Sequence, residues 1–142
     1  MALITSTQFI KKPVDEVFAV VADGASWADW NPTVRASRRL DAGPIGNGAR
    51  FEWELRGAGK VVQEFQEFEP NTRVRFVTHF KTGEGGHLFS FSTSTEGKGT
   101  RIDHEVEIRP KGVFLLFAPM MGLIGRKDLR DTANALQARL ER

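Results

Sequence analysis

Acid–base chemistry has few places to happen in this chain. The 142 residues include three histidines and no cysteine, so disulfides, thiolate zinc sites and cysteine nucleophiles are excluded. His79, His87 and His104 fall on separate stretches and partly different faces, a pattern that does not suit a metal site, and no metal is expected. His104 alone is read in phase with an apolar face, between Ile102 and Val106. That makes it the one candidate general acid–base. A plain core role, with one hydrogen-bond partner, is equally open to it. No acidic residue stands in a clear inward position to orient it, so the catalytic assignment stops at that candidate. There is no serine nucleophile elbow. The glycine-rich run GPIGNG, from Gly43 to Gly48, does not open a helix, so it is no phosphate cradle and no cofactor is implied.

Composition narrows the field further. Twenty basic and eighteen acidic residues leave a net charge of +2. They are interspersed, so no basic stripe for nucleic acid forms. With 40% hydrophobic and 27% charged residues, the expectation is a single soluble domain over residues 1–142, in the cytoplasm. The start, MALITSTQFIKK, has neither a basic opening nor a long apolar run, so no signal peptide is expected. The longest apolar stretch, Gly112 to Gly125, is shorter than the roughly 20 residues of a membrane span, so no stable membrane insertion is expected.

The elements that must position these groups read as mostly strand. Leu3 to Ile10 is a first strand. Pro13 opens a helix whose apolar residues are Val14, Val17, Phe18 and Val21, and Asp23-Gly24 ends it. Ser26 to Trp30 reads as one more helical turn, stopped at Asn31-Pro32. From Thr33 the period becomes two, with Val34, Ala36 and Leu40 on one face and Arg38 off pattern, as at a bulge or a cavity mouth. Phe51, Trp53 and Leu55 alternate with charges. Lys60 to Phe68 is a strand of ambiguous phase that turns polar groups inward either way, with Glu64 and Glu67 expected at the surface. Val74, Phe76, Thr78 and Phe80 follow, then His87, Phe89, Phe91 and Thr93, then Ile102, His104, Val106 and Ile108. From Gly112 onward the chain reads as helix, interrupted or restarted at Pro119, with Leu129, Ala133, Leu136 and Leu140 on one face.

Strands joined by short turns form an antiparallel meander with one charged face and one apolar face. The long last helix is the main cover for the apolar face. A wide sheet curls, and a single helix cannot fill its concavity. Either the rings fill it or a cavity remains. Eleven Phe, three Trp and no Tyr are an unusual aromatic set. Phe51, Trp53, Leu55, Phe76, Phe80, Phe89, Phe91 and Val106 share the inward phase, with Thr78, Thr93 and His104 among them. Apolar walls with a few polar handles match a ligand cavity.

The segment VDEVFAVVADGASWADWNP, the turn GPIGNG before an alternating strand, EFEP after the fourth strand, and GTRIDHEVEIRPKG before a long last helix carry a resemblance. Over essentially the whole chain they resemble the START-like (SRPBCC) superfamily, and within it the bacterial polyketide cyclase/dehydrase-type branch. The resemblance implies an α+β helix-grip (Bet v 1-like) fold, in which a curved seven-stranded antiparallel sheet wraps a long C-terminal helix around an internal pocket for apolar ligands. It implies binding of a lipid, polyketide or aromatic metabolite. The ligand would meet Trp53, Phe76, Thr78, Phe80, Phe89, Phe91, His104 and Val106, with Trp30 at one end of the pocket. Phe117 and Met121, beside Phe114 and Met120, would form an adaptable lid at its entrance. Two alternatives stay open. One is a cyclase/dehydratase-type enzyme in the same pocket, with no metal or nucleotide. The other is a co-chaperone-like interaction domain with a filled core. The sequence also leaves a homodimer open.

Overall fold

The computed structural model describes residues 2–57, 59–80, 83–93, 99–110 and 118–141, with the backbone alone at residues 2, 80, 83, 110, 118–122 and 124. In chain order the elements are β1 (Ala2–Ile10), α1 (Val14–Ala22), a short 3-10 helix (Gly24–Asp29), β2 (Val34–Arg39), β3 (Arg50–Leu55), β4 (Gly59–Glu69), β5 (Arg73–Phe80), β6 (Gly83–Thr93), β7 (Thr100–Pro110) and α2 (Ala118–Leu140). The strands form one seven-stranded sheet in the order β1-β7-β6-β5-β4-β3-β2. Every neighbouring pair is antiparallel.

Alternation decides which side chains face in. The outer face carries cross-strand ion pairs such as Arg38–Glu52 at 3.1 Å and Arg50–Glu64 at 3.0 Å. These pairs are solvated and add little stability. The inner face forms the core: Phe51, Trp53, Phe65, Phe76 and Phe89 are fully buried, and α1 adds Val17, Phe18 and Val21. α2 lies across β1 and β7, with Leu129, Thr132 and Leu136 buried beneath it. Gln8 donates its side-chain amide to the Ala133 carbonyl at 2.6 Å, which fixes the helix along its length.

The pairing register sorts the inner face into rows, because side chains opposite one another on neighbouring strands meet. One row reads Val74, Phe89, His104 and Ser6. The next reads Phe65, Phe76, His87, Val106 and Ile4. The row after that reads Phe51, Gln63, Thr78, Gly85 and Ile108. Across β4, β5 and β6 the side chains of this last row are an amide, a hydroxyl and a hydrogen. The aromatic filling stops there.

Two details depart from the alternation expected of the sequence. In β2 the register shifts between Val34 and Ala36. The extra residue flips the phase, so Ala36 and Leu40 are exposed and Ser37 points in. Ser37 Oγ donates to the Ala25 carbonyl at 2.7 Å and accepts the Ala28 N–H at 3.0 Å, tying the 3-10 helix to the sheet. Arg38 lies on the surface, not at a cavity mouth. Thr93, at the end of β6, is exposed. In β4, Val61, Gln63 and Phe65 take the inner face, leaving Glu64 paired with Arg50 outside. The expected helix from Gly112 begins, among the described residues, at Ala118 with Pro119 in its first turn. Residues 111–117 lie outside the described set.

Gly85 tolerates no side chain. A Cβ there would sit 2.5 Å from the Glu107 carbonyl oxygen of β7, so β6 and β7 would have to move apart. Gly85→Ala is expected to lower stability by about 1–3 kcal/mol, read as a shifted midpoint in urea unfolding. An unchanged midpoint would show that this pair of strands yields freely.

Candidate functional site

Where the aromatic filling stops, a cavity of about 380 Å³ lies between the sheet and the first half of α2. Its floor is Gln63, Thr78 and Gly85. Trp27 and Trp53 wall one side, Val106 and Ile108 the other, and Gly125 and Asp128 of α2 lie above. Gly125 lets the helix come close: a Cβ there would stand 2.7 Å from Ile4 Cδ1. The charged groups Arg56, Glu107, Lys127 and Asp131 line the outer part.

The tryptophan wall is rigid. Trp27 stacks on Trp53 with ring centroids 4.5 Å apart, and also meets Trp30 at 4.6 Å and Phe76 at 5.1 Å. Both wall indoles are satisfied. Trp27 Nε1 donates to the Val21 carbonyl at 2.9 Å, and Trp53 Nε1 to the Gly24 carbonyl at 2.8 Å. Gly24 can approach because it has no side chain; a Cβ there would meet the Phe51 ring at 2.8 Å. Trp30 Nε1, by contrast, is buried with no hydrogen-bond partner among the described residues.

The buried polar groups form two chains. In the floor, Thr78 Oγ1 donates to Gln63 Oε1 at 2.6 Å. Beside it, Asp128 Oδ2 on α2 lies 3.5 Å from His87 Nε2. His87 Nδ1 lies 2.8 Å from His104 Nε2. The tautomers that satisfy all three groups put a proton on His87 Nε2, facing the carboxylate, and one on His104 Nε2, which donates to His87 Nδ1. Burial holds the His104 imidazole well below the usual 6.5, and the adjacent His87 adds to that. Burial lowers His87 too, while Asp128 pulls it back up. Asp128 is itself placed by a string of contacts: the Thr33 hydroxyl can donate to its Oδ1 at 3.4 Å, while Asn31 Oδ1 accepts the Thr33 backbone N–H at 3.0 Å and the Asn31 amide donates to Thr132 of α2 at 3.1 Å.

Of the side chains expected around a ligand, Trp53, Thr78 and Val106 line this cavity. Phe76, Phe89 and His104 pack behind the lining, and His104 stacks on Phe89 at 4.1 Å. Phe91 meets Phe18 of α1 at 5.2 Å, and Trp30 packs on Trp27; neither lines the cavity. Phe117, with Phe114, and the side chains of Phe80, Met120 and Met121 lie outside the described residues. His104 is not the only inward histidine: His87 is buried and lines the cavity. The signal was present, since His87 alternates with Phe89 and Phe91. An acidic partner exists as well, in Asp128. Trp27 and Gln63 are among the other lining residues not anticipated. Among the described residues, no cluster of three or more His, Asp or Glu groups is placed to hold a metal ion, and no helix is long and apolar enough to cross a membrane.

Comparison with known proteins fits this geometry. A family model described as polyketide cyclase / dehydrase and lipid transport matches residues 1–141. No curated protein matches the chain by sequence. Among solved structures, a START superfamily protein from Mycobacterium smegmatis is similar at a TM-score of 0.82 and 16% identity, covering 99% of this chain and 98% of that one. The Zhui aromatase/cyclase from Streptomyces sp. R1128 gives 0.78 at 16% identity, covering 99% and 93%. Ara h 8.0201 gives 0.74 at 12% identity, covering 97% and 96%. At such identities the likeness is one of fold, and the fold is the START/Bet v 1-like helix grip expected from the sequence.

The buried imidazoles make stability depend on pH. Both are held neutral in the folded chain, whereas in the unfolded chain they take up protons as pH falls through the ordinary value of 6.5. Acid therefore favours unfolding, and their contribution is complete above pH 6.5 and lost as pH falls toward the lowered native values. Thermal denaturation should show Tm falling as pH drops below about 6.5, starting above the range where carboxylates titrate. The fall should be smaller in His104→Leu. An equal fall in that variant would assign the effect to other groups.

Proposed function

The chain belongs to the polyketide cyclase / dehydrase and lipid transport family, and from that premise we propose that it binds a small hydrophobic molecule in the cavity between sheet and α2. The molecule is a lipid, a polyketide or an aromatic metabolite. The observation that carries this reading is the cavity itself: about 380 Å³, within the range of small-molecule sites, with apolar walls and a few placed polar groups. Burying apolar surface against Trp27, Trp53 and Val106 supplies affinity at about 25 cal/mol per Å² before ordering costs. An interaction domain working from its outer surface would need no such void.

A second reading, a cyclase/dehydratase-type enzyme, is favoured by the pairing of Asp128 with His87. The neutral imidazole faces the cavity with a carboxylate at its outer nitrogen and a second imidazole at its inner one. Nδ1 is taken by His104, so Nε2, whose contact with Asp128 is long at 3.5 Å, is the nitrogen from which a proton can pass to a bound carbonyl compound. In this reading the acid–base group that meets the substrate is His87, with His104 behind it. His87→Gln should then abolish turnover of a β-keto or β-hydroxy thioester, followed by loss of substrate in a chromatographic assay. Turnover that survives the substitution would remove His87 from the chemistry.

Binding can be tested with an uncharged reporter. N-Phenyl-1-naphthylamine should show saturable fluorescence enhancement with the native chain. Val61→Trp, which adds bulk to the cavity wall, should weaken that binding by about tenfold or more while the protein stays folded by circular dichroism. Saturation that is absent, or unaffected by the filled wall, would refute binding at this place.

A further inference from the structure

The floor of the cavity is more specific than an apolar site requires. Gln63 stands between Val61 and Phe65 on the inner face of β4 and is 2% exposed. Its Oε1 is occupied by the Thr78 hydroxyl at 2.6 Å. Its Nε2 has no partner among the described residues, yet it is not sealed in protein: the buried, partnerless side-chain atom among them is Trp30 Nε1, and Gln63 lines the cavity. The amide N–H₂ therefore faces the void. A donor left unmade in a buried site costs roughly 1–3 kcal/mol. Thr78 holds the amide from behind, so the donor is oriented before any ligand arrives, which lowers the ordering cost of binding.

We propose that Gln63 Nε2, positioned by Thr78, is the subsite for a neutral carbonyl oxygen, so that the molecule bound here is an apolar ketone, ester or amide rather than a bare hydrocarbon or a carboxylate pointing inward. This rests on the binding reading above and adds the chemical class of the ligand. The donor excludes the hydrocarbon, which would leave it unpaired. Charge excludes the inward carboxylate. Arg56 and Lys127, the basic residues of the lining, are both exposed. At the floor an anion would meet only an amide, a hydroxyl and a neutral imidazole whose N–H faces Asp128. A buried anion without a cation is strongly disfavoured. A carbonyl oxygen needs one donor and carries no net charge.

The test is competition of α-tetralone and tetralin against N-phenyl-1-naphthylamine on the purified chain, repeated with Gln63→Met. The two competitors share a carbon skeleton and differ by the carbonyl oxygen. Methionine keeps the length of glutamine and removes the donor. The ketone-to-hydrocarbon affinity ratio should fall about tenfold from the native chain to Gln63→Met, the size of one well-made hydrogen bond. An unchanged ratio overturns the proposal while leaving the binding reading intact. A native chain that does not bind the dye at all overturns both. Should Gln63→Met fail to fold, Thr78→Val reports in its place: it removes the group that holds the amide, and the ratio should fall about threefold. An unchanged ratio there also refutes the subsite.

Discussion

A curved seven-stranded sheet presents more inner surface than one helix can cover. Every other feature of this protein answers that constraint. At one end the answer is aromatic bulk. Phe89 stands in one row and Phe65 and Phe76 in the next, and the short 3-10 helix drives Trp27 into the middle of them. At the other end the rows thin out to Gln63, Thr78 and Gly85, and α2 passes overhead without filling the gap. The cavity is therefore a consequence of side-chain size across one register row. Interiors are close-packed unless something prevents it. What prevents it here is a glycine that cannot accept a Cβ and two polar side chains that hold each other upright.

The same constraint sets the electrostatics. α2 is held at a fixed height by Gln8 on β1 and by Asn31 after the 3-10 helix. That height brings Asp128 to the edge of the cavity, opposite His87. Were the helix free to slide by one turn, the carboxylate would move by about 5 Å and the pairing would be lost. The Asn31–Thr33–Asp128 contacts are thus positioning devices: they link the joint between helical turn and sheet to the carboxylate beside His87.

Much of this was legible in the amino-acid sequence, for a physical reason. Half-buried strands advertise themselves through a period of two, and Phe51–Trp53–Leu55, Phe76–Thr78 and His104–Val106 all took the face that their alternation implied. Register is another matter. Nothing local to β4, β5 or β6 says that Gln63, Thr78 and Gly85 will stand side by side, because pairing is set by turn lengths and bulges. The extra residue in β2 illustrates the cost: one inserted position reversed the faces of Ala36 and Ser37. His87 was in phase with Phe89 and could have been counted inward. Asp128 could not have been placed, since the helix face that meets the sheet depends on how α2 is docked. Trp27 packs the joint between helical turn and sheet, and that joint reaches far enough inward to become the cavity wall.

The placement of charge across the cavity limits what chemistry it can host. Its inner end holds groups that are neutral and directional: an amide, a hydroxyl and an imidazole kept neutral by burial. Its outer end holds ionised groups in contact with water. A molecule entering with one polar group is therefore sorted by whether that group bears a charge. A charged end is better solvated at the mouth, and a neutral acceptor is better met within. The same burial bears on catalysis. An imidazole pushed below its ordinary value is a weak base, and His87 beside His104 adds to the difficulty of charging the inner ring. Asp128 is the one opposing influence on His87 among the described residues. Proton transfer at this site would depend on that carboxylate stabilising the imidazolium as it forms, whereas binding needs only the neutral ring. The two functional readings thus place different demands on one pair of side chains, and the carboxylate matters to only one of them.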